Sequence, residues 1–485
     1  MSETDAFETV AYMRETMITP EPPPKAQGGP VFWLRENLFS TPMNAALTIL
    51  SLLMIYGLVW RFWPWLSHSV WNANSLPECR AIIAERWGEG ATGACWAVVK
   101  ARWHQYLFGF YPRAIYWRPI LAFGLLFVAL APLLYSDSAR SRRLMLGGAG
   151  LLTVLFMWMA HAPNGPVITA IAAFAVVLAV NRVRPAVLFG FPAFYPFLAY
   201  WLLWGGSFWW IIALWVGILL GVGVWWAIAR VAPLIGVGAG VVVAVLWWLH
   251  ANDHAAAILQ GLLPFSLPAV RSEVFGGFLL SAVIGVSAIA TSLPAGIILA
   301  LSRRSDMPVV KLFAVMFIEF IRGVPLITLL FVASLLLNYF MPPGTNFDKI
   351  LRVVIMVSIF ASAYMAEVIR GGLAALPKGQ IEAGDSLGLT YWQAQRLIVL
   401  PQALKISIPP IVSTFIGVFK DTTLVVFISL YDPLKGVSDA LRQDMAWKGI
   451  YWEPYIFSGL IFFILCFAMS RYSMYLENRL KHEHR

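Results

Sequence analysis

About twelve stretches of this chain stay apolar for roughly 18–25 residues at a time, the length a helix needs to cross the hydrocarbon of a bilayer. Hydrocarbon offers no water to the backbone N–H and C=O groups, so such stretches must fold as helices that satisfy their own hydrogen bonds. The remaining composition agrees. Of 485 residues, 60% are hydrophobic and 12% are charged, where soluble chains carry about a quarter charged residues. A soluble enzyme, a disordered protein and a disulfide scaffold are excluded, and the fold class is all-α, a polytopic helical membrane protein. The net charge of +10 comes from Lys and Arg placed singly or in small clusters between apolar runs. It therefore reports topology rather than nucleic-acid binding.

The runs begin with Asn44 to about Leu66, too far from the start for a removable signal peptide, and continue near 118–135, 144–161, 165–180, 186–204, 208–229 and 232–250. A second series lies near 276–301, 320–340, 350–369, 406–429 and 454–472. Short loops rich in Lys and Arg stay on the cytoplasmic side. With a cytoplasmic N-terminus and one crossing per run, Arg140, Arg142, Arg143, Arg182, Arg184, Arg230, Arg303 and Arg304 all fall inside. The turns His161–Gly165 and Gly205–Ser207, without Lys or Arg, fall outside, and the C-terminal tail falls inside. The loop at about 67–117 carries Arg80, Arg86, Lys100, Arg102 and Arg113 yet is assigned outside; long loops escape the charge rule.

Residues 1–43 form a polar lead with the Pro cluster Glu21–Lys25 and read as a disordered cytoplasmic tail. Within it, Val31–Phe39 reads either as a short interfacial helix or as a juxtamembrane turn. Cys466 lies in the last run, where a buried inert thiol is expected. Cys79 and Cys95 share the outside loop, sixteen positions apart; an oxidising periplasm would allow a bridge, and two free thiols remain the alternative. No Cys-x-x-Cys spacing or His cluster suggests a metal.

The spans from 118 to 250 are nearly uniform Leu, Val, Ala and Trp and read as lipid-facing or scaffold helices. The later spans hold Glu319, Arg322, Glu367, Arg370, Lys420 and Asp421 in or beside apolar runs, where ionisable groups are costly and tend to be paired or functional. Glu319 with Arg322, and Glu367 with Arg370, stand at i, i+3 spacing and read as local ion pairs or a gate. Lys420 and Asp421, near the middle of 406–429, are a candidate substrate path with Thr422 and Thr423. A cation can meet the carboxylate of a zwitterion, an anion its ammonium, and hydroxyls can assist. A structural pairing of Lys420 and Asp421 with neighbours or a partner subunit is the competing reading.

The segment 377–401 reads as a helix, a break and a second helix. Pro377 suits a helix start, Gly388 a left-handed stop, and Thr390 with Gln393 a capping box; the second helix should run until Pro401. Glu382, Ala383 and Gly384, then Gly388, then Ile398, Leu400 and Pro401, resemble the coupling loop of ATP-binding-cassette importer permeases. That family has Ala where this chain has Gly384. Ile318–Leu326, Ala363–Gly372 and Lys420–Leu424 are similar to signatures of the polar-amino-acid branch. Gly93–Trp96 and the added N-terminal spans are similar to the extended permeases of general L-amino-acid uptake systems of Gram-negative bacteria.

The resemblance implies an N-terminal membrane extension at 44–273 and a five-span type I permease domain at 274–476. It implies a permease subunit of an importer of L-amino acids across the bacterial inner membrane, served by a periplasmic binding protein and a second, homologous permease subunit. A cytoplasmic ATPase dimer would carry ATP and Mg, and the hairpin would couple to it. This chain has no Gly-x4-Gly-Lys-Ser/Thr loop and should bind no nucleotide itself. An ion-coupled secondary transporter is the alternative, but it would call for two repeated halves, and none is apparent.

Overall fold

The computed structural model describes residues 29–230, 232–336, 339 and 348–482. The Pro cluster at 21–25 and the end of the expected 320–340 span lie outside them. Contacts divide the chain into two units, Met1–Val70 with Cys79–Cys95, and Trp71–Glu78 with Trp96–Arg485.

In the first unit, Val31–Phe39 is largely helical, as α1 (Pro30–Asn37). Helix α2 (Pro42–Ser67) starts where Thr41 Oγ1 accepts the Asn44 N–H at 3.2 Å and Pro42 occupies the first turn. Cys79 and Cys95 are joined in a disulfide. Around it, Val70 pairs with Cys95 as an isolated bridge, and the His68 ring stacks on Trp87 at 4.8 Å. Helix α3 (Leu76–Trp87) carries Cys79.

The second unit continues with α4 (Ala97–Phe108), α5 (Trp117–Leu134), α6 (Ala139–Met159), α7 (Asn164–Val183), α8 (Phe191–Trp204), α9 (Phe208–Ala229), α10 (Pro233–Leu246) and α11 (Asn252–Leu262). Then come α12 (Gly277–Arg303), α13 (Pro308–Gly323), α14 (Leu326–Phe331), α15 (Lys349–Ala374), α16 (Gly379–Ser386), α17 (Tyr391–Ala394), α18 (Leu400–Asp421), α19 (Pro433–Gln443) and α20 (Trp452–His482). A short antiparallel pair, β1 (Gly206–Ser207) with β2 (Ser266–Leu267), closes the loops after α8 and α11. Among the described residues 11 helices are long and apolar enough to cross a membrane, or up to 12 if one bent pair is a single span.

Of the spans read as lipid-facing or scaffold, α5 is the scaffold. Among the described residues it is the most buried span; it packs on α6 and α8 and shares one core with α12 and α15 through residues such as Val128, Ile284 and Val357. At its start Arg118 is buried and donates to Pro268 O at 2.7 Å.

The span expected at 320–340 needs correction. The chain forms α13, breaks, and resumes as α14 with a π-helical turn to Leu336, the two parts bent by 100°. Pro325 disfavours α conformation in the residue before it, and Val324 is extended at φ −103°, ψ 131°.

The most extensive helix pair is α12 with α15, and α15 also packs on α18. Small residues permit this. A Cβ on Gly296 would come within 2.7 Å of Met365 Cβ, and one on Gly372 within 2.0 Å of Ser407 Oγ and 2.6 Å of Ala403 O. A side chain at 372 must push α15 from α18, whereas a Cβ at neighbouring Gly371 meets nothing within 4 Å. Gly372→Leu is therefore expected to destabilise the solubilised chain by about 1–3 kcal/mol, read as a fall in Tm, while Gly371→Leu leaves Tm nearly unchanged. Equal effects would mean that the close approach is unimportant.

Candidate functional site

The hairpin grows directly out of two packed spans. After α15 the chain turns through Pro377 into α16, whose first turn carries Glu382. Gly388 then sits at φ +68°, a left-handed conformation that glycine adopts without the clash a Cβ would bring. On the far side of the turn, Gln393 Oε1 accepts the Thr390 N–H at 2.9 Å, the return half of a capping box.

The second helix does not stop at Pro401, contrary to the sequence-based expectation. Helix α17 passes through a π-helical turn, Gln395–Val399, into α18, so that Tyr391–Ile428 forms one helical span. Proline removes one donor and its ring crowds the carbonyl four residues back. A π turn placed over Leu397 relieves that crowding without ending the helix.

The inner face of the hairpin is packed. Ile381 and Leu400 lie against a core formed by Ala300, Ile318, Met365, Ile369 and Val399, and Gln402 Nε2 donates to Gln380 Oε1 at 3.0 Å across the hairpin. Gly384 is buried here; a Cβ on it would lie 3.5 Å from Ala394 and 3.6 Å from Ile398, ordinary contact distances, so the family's alanine would fit. The outer face is open and sets large apolar side chains, Leu387 76%, Trp392 69% and Leu397 64% exposed, among exposed polar ones such as Asp385, Gln393 and Arg396. Glu382, Ala383 and Pro401 are exposed beside them, and Ile398 is half-buried.

Beside the hairpin, the charges of α12, α13 and α15 form one cluster. Glu367 is its hub. Its Oε1 accepts Arg370 Nε at 2.8 Å, and its Oε2 lies 3.3 Å from Arg303 Nη1 and 3.6 Å from Arg322 Nη1. Arg303 Nη1 also reaches Glu319 Oε1 at 2.9 Å. The expected Glu367–Arg370 pair is present. The expected local pairing of Glu319 with Arg322 is replaced by bonds across helices: Glu319 binds Arg303 of α12, and Arg322 binds Glu367 of α15 while lying over the Tyr364 ring at 5.6 Å. Arg303, read from sequence only as a topology marker, joins the helices. Its proximity to Glu367, 64 residues away, left no local spacing to find.

Lys420 and Asp421 end the α-helical part of their span instead of lying near its middle, because the chain tightens at Thr422 into a 3-10 turn that runs to Ile428. Neither makes an ion pair among the described residues. Lys420 is exposed, Asp421 and Thr423 are half-buried, and Thr422 is fully buried. The two hydroxyls donate within the helix, Thr422 to Phe419 O at 2.7 Å and Thr423 to Lys420 O at 2.9 Å.

Bundled apolar spans with an ordered, partly apolar hairpin at their ends define the class as a polytopic helical membrane protein. The model of the binding-protein-dependent transport system inner membrane component matches residues 292–482. The glutamate/glutamine/aspartate/asparagine transport system permease protein BztC of Rhodobacter capsulatus is 56% identical over 98% of this chain and 99% of its own. The inner membrane amino-acid ABC transporter permease protein YhdY of Escherichia coli is 35% identical over 96% of this chain and 98% of its own. The crystal structure of an amino acid ABC transporter with histidines is 30% identical, covering 41% of this chain and 91% of its own, at a TM-score of 0.37. The chain belongs to the binding-protein-dependent inner-membrane components, as an amino-acid ABC transporter permease. It is a multi-pass transport subunit, and ATP hydrolysis belongs to a separate ATPase.

Removing the hub charge leaves three guanidinium groups without their shared carboxylate. Glu367→Gln is expected to lower stability by about 1–2 kcal/mol, less than for a fully buried pair because these side chains are partly exposed. Glu319→Gln, at a site more than half exposed, should cost under about 0.5 kcal/mol. Thermal unfolding of the two purified variants checks the order; a larger loss at 319 would reverse the assignment of the hub.

Proposed function

We propose that this chain is the permease that couples ATP hydrolysis to uptake of acidic amino acids and their amides, through its 377–401 hairpin. The observation that carries the reading is the hairpin's two-faced build. One face is fused to α15 and α18, while the other exposes Leu387, Trp392 and Leu397 at the end of the bundle. Apolar side chains on an otherwise aqueous projection suit a protein partner. A cytoplasmic ATPase dimer, holding ATP and Mg, would grip this face, with Glu382 as a hydrogen-bond acceptor, and its closure would turn the spans as rigid bodies.

A second, homologous permease would complete the path and a periplasmic binding protein would deliver substrate. Both termini would be cytoplasmic, in keeping with the Arg-rich loops at 139–143 and 303–304. The substrate class is supported by the extended likeness to BztC, whose name gives glutamate, glutamine, aspartate and asparagine. Lys420, exposed at the end of α18, would meet a substrate carboxylate and Asp421 its ammonium, with Thr423 beside them and the fully buried Thr422 supporting the turn from within.

Reconstitution of the chain with its ATPase, second permease and binding protein in vesicles tests this. Glutamate or glutamine should stimulate ATP hydrolysis and be taken up. Gly388→Val, strained at φ +68°, and Glu382→Ala should each lower uptake per ATP at least several-fold while the protein still inserts. Unchanged coupling in both variants, or uptake by this chain alone on an ion gradient, would overturn the reading.

A further inference from the structure

Away from the hairpin, a cavity of about 410 Å3 opens among α8, α9 and α11, where β1 and β2 pair. Its walls are the rings of Tyr200 and Trp210, 6.1 Å apart between centroids. Its polar groups are Asp253, Ser207 and Gln260, and Ala257 leaves room beside them. Among the described residues no Lys or Arg lines it.

These groups are held in place. The Trp210 Nε1–H donates to Asp253 Oδ1 at 3.2 Å, leaving Oδ2 without a hydrogen bond among the described residues. Ser207 Oγ donates to Gln260 Oε1 at 2.7 Å, and Ser207 is itself fixed by pairing with Ser266 in the β1–β2 ladder. Trp209 Nε1 donates to Leu263 O at 2.7 Å, tying the start of α9 to the loop after α11.

A single carboxylate held at the indole edge of Trp210, beside the Tyr200 ring, is the wrong site for Ca2+ or Mg2+, which take six or more oxygens, and for an anion, which would face Asp253 directly. It fits an organic cation. Tyrosine and tryptophan rings attract a cation placed over their faces, and a primary ammonium has three donors, for which Asp253 Oδ2, Ser207 Oγ and Gln260 Oε1 are the acceptors. The cavity lies within the range of small-molecule pockets, about 300–1,000 Å3.

We propose that this cavity is a primary-ammonium binding site, with Asp253 as the counter-charge and Tyr200 and Trp210 as its walls. The ammonium belongs either to an ethanolamine phospholipid headgroup or to a free amino acid; the recognition chemistry is the same. It is independent of the coupling assigned to the hairpin.

Native mass spectrometry of the delipidated full-length chain, titrated with phosphatidylethanolamine, phosphatidylcholine, phosphatidylglycerol or L-glutamine, tests it. The wild type should retain phosphatidylethanolamine at least five-fold better than Asp253→Asn does, with phosphatidylglycerol retained equally by both and phosphatidylcholine weaker than phosphatidylethanolamine. Asp253-dependent binding of L-glutamine without that of the lipid keeps the site and assigns it to a free amino acid. Trp210→Leu removes one wall and keeps the carboxylate, so it should weaken the same ligand several-fold; it decides the matter if Asp253→Asn fails to fold. Equal retention of every probe by wild type and the folded variants would overturn the proposal.

Discussion

The close approach of α12, α15 and α18 is the contact on which the rest depends. Lipid tails are as apolar as Leu side chains, so helix association in a membrane rests on packing rather than on the hydrophobic effect. Gly296 and Gly372 provide that packing, and no larger residue would keep the spacing. Because the hairpin leaves α15 and re-enters as α18, the same contact sets the hairpin's base. The π turn at Gln395–Val399 carries helical structure past Pro401, so the second arm of the hairpin and its span form one continuous helical element. A force on the tip would be passed to the spans without a flexible joint on that side.

The charge cluster acts on the same three elements. Glu367 gathers Arg303, Arg322 and Arg370, linking α12, α13 and α15 next to the hairpin base. Such a cluster resists separation of the helices yet can exchange partners, as Arg303 already divides its contacts between Glu319 and Glu367. Partner exchange of this kind is what an element with two arrangements requires.

Much of this was legible in the sequence because it is local or periodic. Apolar runs marked the spans, Gly388 marked the left-handed turn, and Thr390 with Gln393 marked the start of the second arm. Where the sequence misled, longer-range or competing local physics decided. Pro325 bends a run that composition reads as straight, whereas Pro401 fails to end a helix because a π turn absorbs it. Spacing found Glu367–Arg370 but could not find Arg303, whose partners come from other helices. The sixteen-residue interval between Cys79 and Cys95 allowed a bridge without requiring it, and the joining of the two sulfurs depends on the fold around Val70 and Ala94.

The central claim is that the hairpin tip is the contact through which ATPase closure reaches the spans. A cysteine placed at Leu387 tests it most directly, since Cys79 and Cys95 are bonded and Cys466 is half-buried. In the assembled importer it should cross-link to the ATPase in high yield, with a yield that changes when ATP binds. Efficient cross-linking from other exposed positions with none from 387 would contradict the account.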